Sequence, residues 1–389
     1  MQLTDKALKS EFLSICERLQ EGRLHVYTPE GTRHDFGASG PQAEMVIRDW
    51  SAISAMAAHG QIGLGEAYVQ GLWDTPSIEG FLELAMRNRD HLGSYDQPSR
   101  LNKLKFRLLD TVLRANTRRG ARQNIRAHYD VGNDFYQLWL DQGMTYSSGL
   151  FAEGGEDLET AQRRKNSRVM SRLNCGDRVL EVGCGWGGFA EHAAAEGRDL
   201  TGVTISPSQH SYANSRLGGR ADIQLCDYRD VHGSFDNIVS IEMIEAVGAR
   251  YWPSYFAMLK RNLAEGGRVL VQAITVRDSF FDTYKNSSDF IRQYVFPGGM
   301  LLSDSVIAEQ SEQAGLQVKN SFAFGQDYAR TCRIWGERLL AQKSRILAQG
   351  HSESFFRNWQ YYLESCAASF AIGHTNVVQV ELTHAEAVT

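Results

Sequence analysis

Between Cys175 and Ile274 the chain alternates short apolar runs with longer mixed stretches. The runs are Arg178-Val-Leu-Glu-Val182, Asp199-Leu-Thr-Gly-Val-Thr204, Asp222-Ile-Gln-Leu-Cys226, Phe235-Asp-Asn-Ile-Val-Ser-Ile241 and Gly267-Arg-Val-Leu-Val-Gln-Ala-Ile274. Each is strand-sized, and helix-like segments separate most of them. Such alternation predicts an α/β fold, a parallel sheet covered on both faces, with its ligand at the carboxyl ends of the strands. Upstream the period differs. Leu24-His-Val-Tyr27, a Pro29-Glu-Gly31 turn and a segment ending at Phe36 predict a hairpin, and Ala43 to Ile47 a further strand. Ser51–Ala58 and Ser77–Met86 predict helices. The last stretch of the chain, with Phe355-Phe356 and Tyr361-Tyr362, also predicts helix.

Residues 99–126 change character again. Arg100, Lys103, Lys105, Arg107, Arg114, Arg118, Arg119, Arg122 and Arg126 face one acid, Asp110, for a local net of +8 in a chain whose total is −5. Leu101, Leu104, Leu108 and Leu109 recur at near-helical spacing, so part of the segment reads as a basic amphipathic helix. It is either a solvated linker or a surface for anionic lipid headgroups. The resulting division is an N-terminal mixed domain at 1–98, a basic helical linker at 99–126 and an α/β domain at 127–389.

Composition narrows the class. A hydrophobic share of 42% and a charged share of 22% suit an ordinary globular protein. The net charge argues against a general nucleic-acid binder. Six cysteines (Cys16, Cys175, Cys184, Cys226, Cys332, Cys366) show no CxxC pairing and no metal-like spacing, a pattern that fits a reducing cytosol. No signal peptide is expected from Met1-Gln-Leu-Thr-Asp-Lys, and no apolar run approaches the ~18 residues a membrane span needs. A cytoplasmic protein, peripheral on the inner face of the membrane, is the expected placement.

Glu181-Val-Gly183-Cys184-Gly185-Trp-Gly187-Gly188 closes the first α/β strand and opens a helix. Its glycines permit a tight turn and close approach of a ligand to the helix N-terminus. The same glycines satisfy the GxGxxG of dinucleotide enzymes. Those enzymes carry an acid about twenty residues on, for the ribose hydroxyls, where this chain has Val203-Thr204-Ile205-Ser206. An acid two residues before the first glycine, here Glu181, is instead typical of S-adenosylmethionine binders.

Further segments carry a specific resemblance. Arg126-Ala-His128-Tyr129-Asp130-Val-Gly132-Asn133-Asp134-Phe-Tyr136, Met144-Thr-Tyr146-Ser147, Gly202-Val-Thr204-Ile-Ser206-Pro-Ser-Gln209, Asp227-Tyr-Arg-Asp230, Met243-Ile-Glu245-Ala-Val-Gly248, Tyr294-Val-Phe-Pro297-Gly298-Gly299 and Tyr361-Tyr-Leu-Glu-Ser-Cys366 follow in order. Together they resemble the cyclopropane-fatty-acyl-phospholipid synthase and mycolic-acid methyltransferase family over about residues 120–370. Gly63-Leu-Gly-Glu-Ala-Tyr-Val-Gln-Gly71-Leu-Trp73 resembles the N-terminal lipid-contacting domain of its phospholipid-acting branch. The resemblance implies a Rossmann-like class I methyltransferase sheet with helical insertions, plus a smaller N-terminal α+β lipid-contacting domain. It implies S-adenosylmethionine as cofactor, with Tyr146 and Ser147 at the methionyl end. Gly183, Cys184 and Gly185 would lie on the ribose side, Thr204, Ser206 and Gln209 would replace the missing acid, and Asp227 and Tyr228 would border the adenine.

The same resemblance implies methyl transfer to the double bond of an unsaturated phospholipid acyl chain. An isolated alkene is a poor nucleophile, so it must be held in line with the sulfonium methyl and kept from water. Aromatic faces can stabilise the cation that results, and Phe290, Tyr294, Phe296 and Phe370 are candidates. Loss of a proton from the new methyl closes a cyclopropane; loss from a neighbouring carbon leaves a methyl or methylene branch. The family holds a bicarbonate ion as base, whose ligands correspond here to Glu245, the Ile274 backbone, Tyr328 and Cys366. Two departures bear on that step: Ser148 stands where many members have cysteine, and Gln272 where many have histidine. Glutamine cannot titrate near neutral pH, so Gln272 leaves the product open between ring and branch. The N-terminal domain also allows a homodimer with two active sites on one membrane, and a methylene-branched product allows a reductase partner acting on it afterwards.

Overall fold

The computed structural model describes residues 2–92, 131–152 and 155–386. The basic segment at 99–126 and His128-Tyr129-Asp130 lie outside the described residues.

The N-terminal unit runs through helix Gln2–Cys16, β1 (Arg23–Tyr27), β2 (Arg33–Gly37), β3 (Gln42–Ile47), helices Ser51–His59 and Gln61–Val69, β4 (Trp73–Asp74) and helix Ile78–Arg87. β1 and β2 form the antiparallel hairpin anticipated from the turn signal, with Gly31 at φ 84°. β3 returns to lie parallel to β1 on its other side. Alternation then buries Leu24, Val26, Ala43, Met45 and Ile47, which gives this small sheet one apolar face. Ser77 caps the last helix, its hydroxyl accepting the Gly80 N–H at 3.0 Å.

The larger sheet has the order β10-β11-β9-β8-β5-β6-β7. The five runs recognised in the sequence are β5 (Arg178–Val182), β6 (Asp199–Thr204), β7 (Asp222–Leu225), β8 (Phe235–Ile241) and β9 (Leu263–Val276), all mutually parallel. Two expectations are corrected. The sheet is mixed, because β11 (Thr375–His384) inserts antiparallel between β9 and β10 (Leu316–Ala323). The helical reading of the C-terminal stretch therefore holds only to Ala371. From Val377 to Leu382 every residue of β11 is buried, and a short run buried on both faces lacks the alternation that marks a half-exposed strand.

Helices Gly325–Ala341 and Glu353–Ala371 bridge the two units. One cluster of buried side chains joins Phe12, Val26, Met45 and Trp73 to Trp335, Trp359 and Tyr361. Arg357 extends across this seam, its guanidinium donating to Tyr68 O at 2.6 Å and Trp73 O at 3.1 Å. No helix among the described residues is long and apolar enough to cross a membrane.

Candidate active site

A cavity of about 590 Å³ opens at the carboxyl ends of β5, β6, β8 and β9 and continues into the N-terminal unit. At one end it is lined by Glu181, Gly183, Gly185, Gln209 and Tyr228. At the other it is lined by Phe12, Leu24, Met45, Leu64 and Phe81. Between them stand Tyr146, Glu242, Glu245, Ile274, Tyr328 and Cys366.

The polar end is built on strand ends. Gly183, Gly185 and Gly187 take φ of 85°, 52° and 83°, a conformation that side chains resist. The turn is pinned by the N–H groups of Gly183 and Cys184, both donating to Val203 O at 3.0 Å. Thr204 donates its hydroxyl to Gln209 Oε1 at 3.0 Å. Ser206, in contrast, is spent as a helix cap on Gln209 N and does not line the cavity. The Asp227 carboxylate is clasped by Arg229 at 2.8 and 2.6 Å, so at the cavity wall it acts through that pair. Glu181 is buried, and its Oε2 meets no donor; burial pushes its carboxyl up to about 8, with Lys165 opposing. An orphaned acceptor beside a glycine turn fits a ligand that brings hydroxyl and amino donors, as S-adenosylmethionine does.

The middle of the cavity holds the chemistry. Glu242, at φ 50° just past the end of β8, is one of two non-glycine residues with positive φ among those described. Its Oε1 accepts the Ser148 N–H at 2.9 Å and Gln272 Nε2 at 2.7 Å, and its Oε2 accepts the Tyr328 hydroxyl at 2.5 Å. Glu245 Oε1 accepts the Ile274 N–H at 2.6 Å, while its Oε2 is buried without a partner. Burial first, and then the Glu242 charge, raise the Glu245 carboxyl to about 8. Burial raises Glu242 too, against its three hydrogen bonds and Lys165. Two carboxyl groups in one buried site do not readily ionise together. The donor-rich Glu242 is suited to hold the charge and Glu245 the proton.

Around this pair, Tyr328 stacks on Phe370 with ring centres 4.3 Å apart, and Tyr146 donates to the Tyr362 hydroxyl at 3.0 Å. Phe290, Phe296 and Phe370 line the cavity. Tyr294 does not; it is 45% exposed and its hydroxyl meets Glu66, which removes it from the aromatic candidates. Ser148 and Gln272 lie behind the wall, reaching the cavity only through Glu242.

Sequence reasoning passed over Glu242 and Lys165. Glu242 stands three residues before Glu245, and its place at a strand's carboxyl end was the available signal. Lys165 looks like part of a solvated Arg163-Arg164-Lys165 run. Yet Ala161, Lys165 and Val169 share one buried stripe of helix Leu158–Ser171, and the ammonium reaches Ser147 Oγ at 3.1 Å. Burial pushes it down to about 8, with Glu242, Asp141 and Glu181 opposing.

Residues 116–380 match the family described as mycolic acid cyclopropane synthetase. A tuberculostearic acid methyltransferase of Mycobacterium tuberculosis is 36% identical over 88% of this chain and 84% of its own. The cyclopropane-fatty-acyl-phospholipid synthase of Escherichia coli is 34% identical over 87% of each. Among solved structures, the cyclopropane synthase MmaA2 from Mycobacterium tuberculosis superposes with a TM-score of 0.63 at 28% identity, covering 67% of this chain and 97% of that one. A mycolic acid cyclopropane synthase complexed with SAH and CTAB gives the same figures.

Proposed function

Because the chain belongs to the mycolic acid cyclopropane synthetase family of S-adenosylmethionine-dependent lipid methyltransferases, we propose that it transfers a one-carbon unit to the double bond of unsaturated acyl chains in membrane phospholipids. The observation that carries this reading is the continuity of the cavity. One space joins the glycine turn, the Glu242–Glu245 pair and the apolar side chains of the N-terminal unit. An acyl chain laid along Met45, Leu64 and Phe81 would bring its double bond to the carboxylates without leaving protein.

When bound, S-adenosylmethionine supplies an electrophilic methyl. The chain's residues do the rest. Gly183, Gly185, Gln209 and Glu181 would hold the ligand's polar groups; Tyr146, Phe296 and Phe370 wall off water and offer aromatic faces to a developing cation. The buried carboxylate pair completes the charge balance and receives the proton that the product must lose.

Ring closure is the first product we carry, as in the Escherichia coli relative's name. A methyl or methylene branch is the second. It is favoured by Gln272, which cannot titrate, and by the name of the Mycobacterium tuberculosis relative. Lipids extracted from a host expressing the chain decide between them. Cyclopropane and methylene products both add one CH2, and only the ring gives upfield ring protons by NMR. A mass gain of CH2 plus two hydrogens marks a methyl branch formed with a reductase. Unaltered acyl chains would overturn the proposal.

A further inference from the structure

The family resemblance reserves Glu245, the Ile274 backbone, Tyr328 and Cys366 for a bicarbonate ion, with Ser148 and Gln272 standing where many members have cysteine and histidine. In this chain the protein's own carboxylates occupy that ground. Ser148 N–H, Gln272 Nε2 and the Tyr328 hydroxyl all donate to Glu242, at 2.9, 2.7 and 2.5 Å. The Ile274 N–H donates to Glu245 at 2.6 Å. A further anion placed beside both would find the Tyr328 and Ile274 donors taken and the Glu242 charge facing it. These residues do not fit a bound bicarbonate.

Resting on the lipid methyl-transfer reading above, we propose that Glu242 is the catalytic base of this enzyme, a built-in carboxylate seated where its relatives' pattern calls for bicarbonate. A carboxylate presents the same O–C–O edge as that ion, and Glu242 lines the cavity. Its backbone is held at φ 50° by an N–H donated to Gln272 O at 2.8 Å. Strain of that kind persists only where its surroundings enforce it. Gln272 is then a positioning residue: its Nε2 donates to Glu242 while its Oε1 accepts Gln379 Nε2 at 2.9 Å, so its orientation is fixed and it does not compete for the proton. In the step itself, the sulfonium C–S bond breaks as the alkene's electron pair takes the methyl, leaving a cation on the acyl chain. A C–H bond of the new methyl then breaks, and its electron pair closes the ring directly or, once a 1,2-hydride shift has moved the cation to the methyl-bearing carbon, forms the methylene double bond. The proton passes to a Glu242 carboxylate oxygen, giving a neutral carboxyl group that solvent later deprotonates.

The test uses the full chain, S-adenosylmethionine and dioleoylphosphatidylglycerol vesicles in buffer stripped of carbon dioxide. Wild-type turnover should not respond to added bicarbonate. Glu242→Gln should lower kcat by about 10²–10⁴-fold, the usual worth of a general base, with affinity for S-adenosylhomocysteine retained. Glu242→Gly is at ease at φ 50°, vacates the donors and should regain turnover as bicarbonate is added. Wild-type turnover that collapses on stripping and returns with bicarbonate overturns the proposal, as does Glu242→Gln with normal kcat, and both leave lipid methyl transfer standing. A wild type that methylates no lipid in either buffer overturns the functional reading, and the base with it.

Discussion

Glu364 Oε2 accepts the backbone N–H of Ile78 at 2.9 Å, and that of Glu79 at 3.1 Å. A residue of the helix that carries Cys366 thus caps a helix of the N-terminal unit. The free N–H groups of that helix's first turn are satisfied from across the seam. Glu364→Ala should therefore loosen the N-terminal unit and cost about 0.5–2 kcal/mol, the range for a lost cap. Thermal melting checks the cost. Glu364→Gln keeps an acceptor and should lose less. Equal melting of Glu364→Ala and wild type would show that water replaces the cap.

Gly183 tests the cofactor site. It takes φ 85°, and a Cβ there would stand 2.5 Å from Met243 Cγ, so Gly183→Ala is opposed by backbone strain and by contact. Affinity for S-adenosylhomocysteine should fall by about tenfold or more, which is ~1.4 kcal/mol. Gly185→Ala, at φ 52° with nothing within 4 Å of its Cβ, should fall less. Titration calorimetry reads both, and NAD should not compete with the ligand.

How much of this was legible in the sequence follows from what each residue's neighbours are. Strands β5 to β9 announce themselves because each is a short apolar run between helices. The Gly183 turn does so because its glycines stand at fixed offsets. β11 was hidden, since Val377 to Leu382 make an unbroken buried run whose pairing partners, β9 and β10, are distant in sequence. Glu245, Tyr328 and Cys366 were named through the resemblance, and the folded chain brings them to one cavity. Glu242 was missed because the donors that single it out come from residues 148, 272 and 328. No local pattern records such a convergence.

Lys165 provides a pH test. It is fully buried, and Glu242, Asp141 and Glu181 act on its charge. In return its ammonium holds the Glu242 carboxyl down against burial. A base must be ionised to act, so turnover falls as pH drops through its pKa. Lys165→Met removes the opposing charge, moves that pKa up, and should carry the acid limb of the kcat profile to higher pH. Turnover should therefore suffer more in acid than at alkaline pH. A uniform loss at every pH would indicate that Lys165 only braces Ser147.

Glu245 separates stability from turnover. Its carboxyl rises from 4.5 to about 8 in the folded chain. Between those two pH values the unfolded chain sheds a proton that the folded chain keeps, so stability falls as pH rises across the window and changes no further above it. Glu245→Gln removes this contribution while its side-chain oxygen can still accept the Ile274 N–H. Melting temperature at pH 7.5 should rise, and its decline from pH 4.5 to 8 should flatten. The decline should not vanish, because Glu181, also raised to about 8, contributes with the same sign. Since burial keeps Glu245 mostly protonated at that pH, the substitution should cost turnover far less than Glu242→Gln. A melting temperature that falls at pH 7.5 would mean that Glu245 braces the loop after β8. A turnover loss as large as that of Glu242→Gln would mean that the charge in this pair resides on Glu245, and would exchange the roles of the two residues.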